Sequence, residues 1–150
     1  MNDFKNIAWL LERIIHKYIQ YEKIPQLYCD DLMLTTAEIH TIAIIGDNEG
    51  INITQLSKER GITKGAVSQM IYKLVDKGLV EKKISPDSDA AVSLFLTEKG
   101  KQAYDDHRHE HETRNTKFAS LLDSMPSETQ ESMTEFLMAF EKELDSIQKE

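Results

Sequence analysis

Apolar residues recur along this chain in blocks whose spacing predicts helices separated by short turns. Ile7, Leu10, Leu11, Ile14, Ile15 and Tyr18 form a broad stripe on a helix from Phe4 to about Lys23, which Pro25 ends or bends. Thr35 and Glu38 have capping-box spacing and open a helix to about Gly46, with Ile39, Ile42, Ala43 and Ile45 inward. Asn52 to Arg60 reads as a short helix with an Asn or Thr cap. After the turn Gly61-Ile62-Thr63, a second helix places Val67, Met70, Ile71, Leu74 and Val75 on one face, between a Thr63 cap and a Gly78 terminator. Leu79 to Ile84 and Val92 to Leu96 read as two short strands around a turn-rich tip at 85–91. A long helix follows from Leu96-Thr97-Glu98 to about Leu122, polar almost all round between Asp105 and Glu112. Ser127 and Gln130 again have capping-box spacing, and the last helix carries Met133, Phe136, Leu137, Phe140, Leu144 and Ile147 as one stripe.

This order predicts a mainly α fold, a winged helix-turn-helix with flanking dimerisation helices and a two-stranded wing. Residues 1–150 read as one domain, with the winged helix at 35–97 and helical dimerisation regions at 1–30 and 98–150. The polar face of the second helix of the pair holds Lys64, Gly65, Ser68, Gln69, Tyr72 and Lys73, with no carboxylate among them. Such a face suits base edges and phosphates. Ser68, Gln69 and Tyr72 are the candidates for bases, and Thr63, Lys64 and Lys73 for phosphate. Apolar stripes on the first and last helices, outside the reader, imply a homodimer. Its two recognition helices would then lie about one DNA turn apart on a palindromic operator.

Charge changes the picture by its distribution. The net charge of −8 argues against nucleic acid at first. By segment, however, residues 57–97 are net +2, while 1–56 are −4 and 98–150 are −6. A basic centre on an acidic body presents a local field to phosphate, with weak non-specific binding and a steep loss of affinity in salt. No apolar run approaches the ~18 to 20 residues of a membrane span, and the N-terminus lacks a signal-peptide pattern. A single cysteine, Cys29, fits a reducing cytoplasm. No nucleophile–base pair, phosphate loop or activated-water motif points to an enzyme. The rival from another class is a winged-helix protein-interaction module or antirepressor that binds no DNA.

Leu56-Ser57-Lys58-Glu59-Arg60-Gly61-Ile62-Thr63, the run from Val67 to Val80, and Leu96-Thr97-Glu98-Lys99-Gly100 together resemble the MarR family of dimeric transcription regulators. The resemblance covers almost the whole chain. It implies a repressor whose DNA affinity changes when a small effector binds between the dimerisation helices and the reader. One departure stands out. The family's wing tip carries Asp-x-Arg, the Arg entering the minor groove, whereas this chain has Asp87-Ser88-Asp89-Ala90-Ala91. Lys82 and Lys83 at the wing base are then left to meet phosphate.

His107 and His111 lie four apart on the long helix, the spacing of helical zinc sites. His40 and Glu22 are the candidates for the third and fourth ligands. The family's zinc-responsive subgroup is similar in using a Glu late in the first helix, a His early in the second and two His on the long helix. The resemblance therefore implies Zn²⁺ at Glu22, His40, His107 and His111. That subgroup has a second site with a Cys and a Glu immediately before the His. Cys29 stands at the first place, but Ile39 stands at the second. His16 and His109 read as surface residues. Asp30 and Asp31 beside Cys29 raise a thiol pKa and so oppose redox sensing. An organic effector in the cleft between first helix and reader is the other option.

Overall fold

In a computed structural model the described residues, 3–84 and 92–147, form helices α1 (Asp3–Tyr21), α2 (Thr36–Asp47), α3 (Ile53–Arg60), α4 (Lys64–Asp76), α5 (Glu98–Asp123) and α6 (Ser127–Ile147). Strands β1 (Pro25–Tyr28) and β2 (Leu32–Thr35) pair antiparallel between α1 and α2, and β3 (Val80–Ile84) pairs with β4 (Val92–Leu96) after α4. The wing tip, 85–91, and the side chains of residues 3, 4 and 111–118, His111 included, lie outside the described residues. The chain divides into two compact units, 1–109 and 110–150, and α5 runs from the first into the second.

Local chemistry sets most of the helix ends. Thr35 accepts the Glu38 N–H while the Glu38 carboxylate accepts the Thr35 N–H at 2.8 Å, so the expected capping box opens α2. Asn52 and Gln55 form a second box at the start of α3. Gly61 ends α3 at φ 64°, the left-handed conformation in which a Cβ is costly. Thr63 caps α4 through the Ala66 N–H at 3.2 Å. At the other end Lys77 is the C-cap, with Gly78 one residue on at φ 71°.

Three expectations need correction. The hairpin β1–β2 has no counterpart among the elements that the apolar pattern predicts, although Leu32 and Leu34 are buried and Met33 between them is exposed, the alternation of a half-buried strand. Val75 belongs only partly to the inner face of α4, being 39% exposed where Val67, Ile71 and Leu74 are buried. The Ser127–Gln130 spacing makes no capping box. Pro126 supplies the carbonyl for the Gln130 N–H, and the Gln130 amide turns back to the carbonyls of Leu122 and Met125.

The core of the first unit sits between α2, α3, α4 and the wing. Leu34, Ile39, Ile42, Ile45, Leu56, Ile71, Leu74, Leu79 and Leu94 are fully buried there. Two long-range bonds hold the end of α4 to this core. Lys77, at the end of α4, reaches the buried Glu38 carboxylate at 2.7 Å. The Thr97 hydroxyl donates to the Gly78 carbonyl at 2.6 Å, tying the start of α5 to the same place. By contrast α1 exposes Ile7, Trp9, Leu10, Ile14, Ile15 and Ile19, and α6 exposes Phe136, Leu137, Met138, Leu144 and Ile147.

Candidate nucleic-acid interface and histidine pair

Helix α4 turns Val67, Ile71 and Leu74 into the core, so its opposite side must face solvent. Lys64, Gly65, Ser68, Gln69, Tyr72 and Lys73 are all exposed, Tyr72 at 72%. That side offers hydroxyl, amide, phenol and two ammonium groups. The first amides of α4 also point out of its N-terminus, where a helix favours an anion. Thr63 uses its oxygen for the cap, while its own O–H remains a donor. Lys82 and Lys83 are exposed on β3. Lys83 lies 3.6 Å from Glu81 and 4.6 Å from the Phe95 ring centroid, an exposed arrangement that phosphate can displace.

The histidines of the first unit come together in part. His40 on α2 and His107 on α5 have ring centroids 5.4 Å apart, and the His107 ring meets Tyr28 of β1 edge-on at 6.2 Å. His107 is buried and His40 half-buried. Two imidazoles on separate elements, partly withdrawn from water, fit a borderline-soft divalent ion. Glu22 does not join them. Its carboxylate takes a 3.3 Å contact from the Arg60 guanidinium, and no group of three His, Cys, Asp or Glu among the described residues is placed to hold a metal. Tyr18 faces the same pair. Its hydroxyl is pushed above the usual phenol range by burial first and by Glu22 next, with Arg60 opposing.

Cys29 occupies the turn of the N-terminal hairpin at φ 51° and donates its main-chain N–H to Asp106 Oδ2 at 2.8 Å. Burial, then the Asp106 carboxylate, with Asp31 and Asp30 behind it, pushes the thiol up to about 11. The direction matches the sequence argument. The main carboxylate, however, is Asp106, 77 residues away, and not the two neighbours. At pH 8 the thiol is protonated, so alkylation of native Cys29 by iodoacetamide is expected to run about a hundredfold slower than in the unfolded chain. Equal rates in the two states would remove this environment.

A helix-turn-helix followed by a two-stranded wing defines a winged helix-turn-helix fold, here with an exposed, carboxylate-free second helix. Residues 34–89 match the MarR family. The chain is similar to the HTH-type transcriptional regulator YhjH of Bacillus subtilis (strain 168), with 27% identity over 136 residues, covering 83% of this chain and 78% of that protein. Among solved structures it is similar to Streptococcus pneumoniae FabT in complex with DNA, at TM-score 0.69 and 25% identity over 96% of this chain and 99% of that one. The fold is also that of Lactococcus lactis ZitR, a zinc-responsive MarR family member, at TM-score 0.67 and 21% identity, covering 93% and 97% of the two chains. No helix among the described residues is long and apolar enough to cross a membrane.

Proposed function

We propose that the chain is a homodimeric, sequence-specific repressor that reads a palindromic operator with α4 and responds to a small effector, Zn²⁺ being the candidate. The observation that carries the DNA reading is the exposed face from Lys64 to Lys73, which bears no carboxylate on a chain of net charge −8. Ser68, Gln69 and Tyr72 meet base edges. Thr63, Lys64 and Lys73 hold phosphate, with Lys82 and Lys83 on the wing, and Gly65 lies on the same DNA-facing side. Residues 35–97 are the reader, and 1–30 with 98–150 form the dimerisation region. The apolar side chains that α1 and α6 each leave in solvent support a second copy of the chain as their cover.

A gel shift on DNA upstream of the chain's own gene, at low salt, tests the reading. Gln69→Ala is expected to cost about 1–3 kcal/mol on operator and little on random DNA, whereas Lys73→Ala weakens both alike. Equal losses for Gln69→Ala on the two DNAs would take it off the base edges. Absence of any shift would favour a protein partner for α4.

The effector reading rests on the His40–His107 pair. With a metal bound, these two imidazoles would hold it, together with His111 and Glu22 if they are recruited, and the ion would supply a cross-link between α2 and α5. Metal analysis of protein purified without chelator reads this directly, and a His107→Ala variant that retains zinc and its DNA response would end it. The chain acts in the cytoplasm on this proposal.

A further inference from the structure

An ion pair joins the end of the first helix to the reader, Glu22 lying just after α1 and Arg60 closing α3. We propose that Arg60 is a positioning residue for DNA reading. Held by Glu22, it fixes the direction of α1 against the reader, and so the separation at which a homodimer presents its two α4 helices. This rests on the dimeric, operator-reading function proposed above.

Helix α1 needs such a fixture. From Lys5 to Tyr21 every residue is exposed except the half-buried Leu11, so apolar packing within the unit does little to aim the helix. Its direction is set at its end, where Glu22 is tied three ways. The Glu22 N–H donates to the Tyr18 carbonyl at 2.9 Å, and its carbonyl accepts the Ala37 N–H of α2 at 3.2 Å. Its carboxylate accepts Arg60 Nη2 at 3.3 Å. The Arg60 side chain is 11% exposed, and its Nε has no partner among the described residues. A guanidinium so withdrawn from water is costly without a compensating charge, and Glu22 provides it.

From Arg60 the path to α4 is short. The Gly61 N–H returns to the Lys58 carbonyl and the Ile62 N–H to the Ser57 carbonyl, both at 3.2 Å, so the turn is bonded to α3. Thr63 then caps α4. Leu56 of α3 and Val67 of α4 are buried in the same core. The two helices therefore shift as one body, and Arg60 is the point at which Glu22 sets that body against α1. Because α1 carries apolar side chains that a second copy would cover, a tilt at this pair passes into the distance between the two recognition helices.

On random DNA one α4 binds without regard to the other, whereas a palindrome demands both at a separation of about one DNA turn. The test therefore compares three duplexes: the upstream DNA that the wild-type dimer binds, the same DNA with one base pair inserted at the centre of the palindrome, and random DNA. Wild type should prefer the first. Arg60→Met keeps an apolar stem and removes the charge. It is expected to lose on the order of tenfold on the native spacing and nothing on the other two duplexes, so the spacing preference narrows by the same factor. Arg60→Lys, which restores a cation to Glu22, should regain most of that preference. Glu22→Gln, with the same expected narrowing, serves where Arg60→Met does not fold. A role confined to stability would lower affinity on all three duplexes alike. Such a uniform loss, or a wild-type spacing preference in the folded, dimeric variants, overturns the inference and leaves the operator reading standing. A wild-type protein that is monomeric, or that binds upstream DNA no better than random DNA, ends both.

Discussion

Gly100→Ala is expected to destabilise the protein by about 3 kcal/mol or more and to lower its melting temperature by about 6–12 °C. A Cβ at Gly100 would lie 2.0 Å from the Leu79 carbonyl oxygen, 3.0 Å from its carbon and 3.3 Å from Leu96 Cβ. The first two are main-chain atoms, so no rotamer change relieves the clash. The same Leu79 carbonyl accepts the Thr97 N–H at 3.1 Å, and Thr97 caps the start of α5 through the Gly100 N–H at 3.1 Å. Moving α5 outward to admit the methyl would strain both bonds and the Thr97–Gly78 link that holds the end of the reader. Gly65→Ala is the control, since its nearest neighbour is Thr63 Oγ1 at 4.0 Å and its backbone is helical. That variant should melt at or slightly above the wild-type temperature. Similar melting of the Gly100 and Gly65 variants would show that α5 is not seated on Leu79.

The second large effect concerns DNA. Exchanging both Lys64 and Lys73 for Glu is expected to lower operator affinity on the order of a hundredfold or more near physiological salt. Each lysine lost from a phosphate also removes about one counterion from the salt dependence, so the log–log slope should shrink by about two per subunit. Both side chains are exposed on α4 and on the side opposite its buried residues. Melting temperature should therefore stay near wild type while affinity and slope fall together. Unchanged affinity in a folded double variant would place α4 off the duplex and turn that face toward a protein partner.

Much of the reader was legible in the residues because its determinants are local. Asn52 with Gln55, Thr63 with Ala66, and Thr35 with Glu38 are each three positions apart, and their hydrogen bonds form within one helical turn. The core stripe of α4 likewise follows from spacing alone. The N-terminal hairpin was missed because its strands have four residues each and its turn, Cys29-Asp30-Asp31, holds no glycine to announce left-handed backbone. Among the histidines, spacing alone pointed to His107 and His111. The approach of His40 to His107 from a separate element came from tertiary packing.

Periodicity and capping chemistry, which act between neighbours in the chain, were enough to say that a helix-turn-helix presents donors and cations without carboxylates. They could not say which charges meet. Glu22 finds Arg60 across 38 residues, Glu38 finds Lys77 across 39, and Cys29 finds Asp106 across 77. Partner choice at those separations depends on which surfaces the apolar core draws together and on how far each charge is withdrawn from water. Neither is encoded in any one stretch of residues.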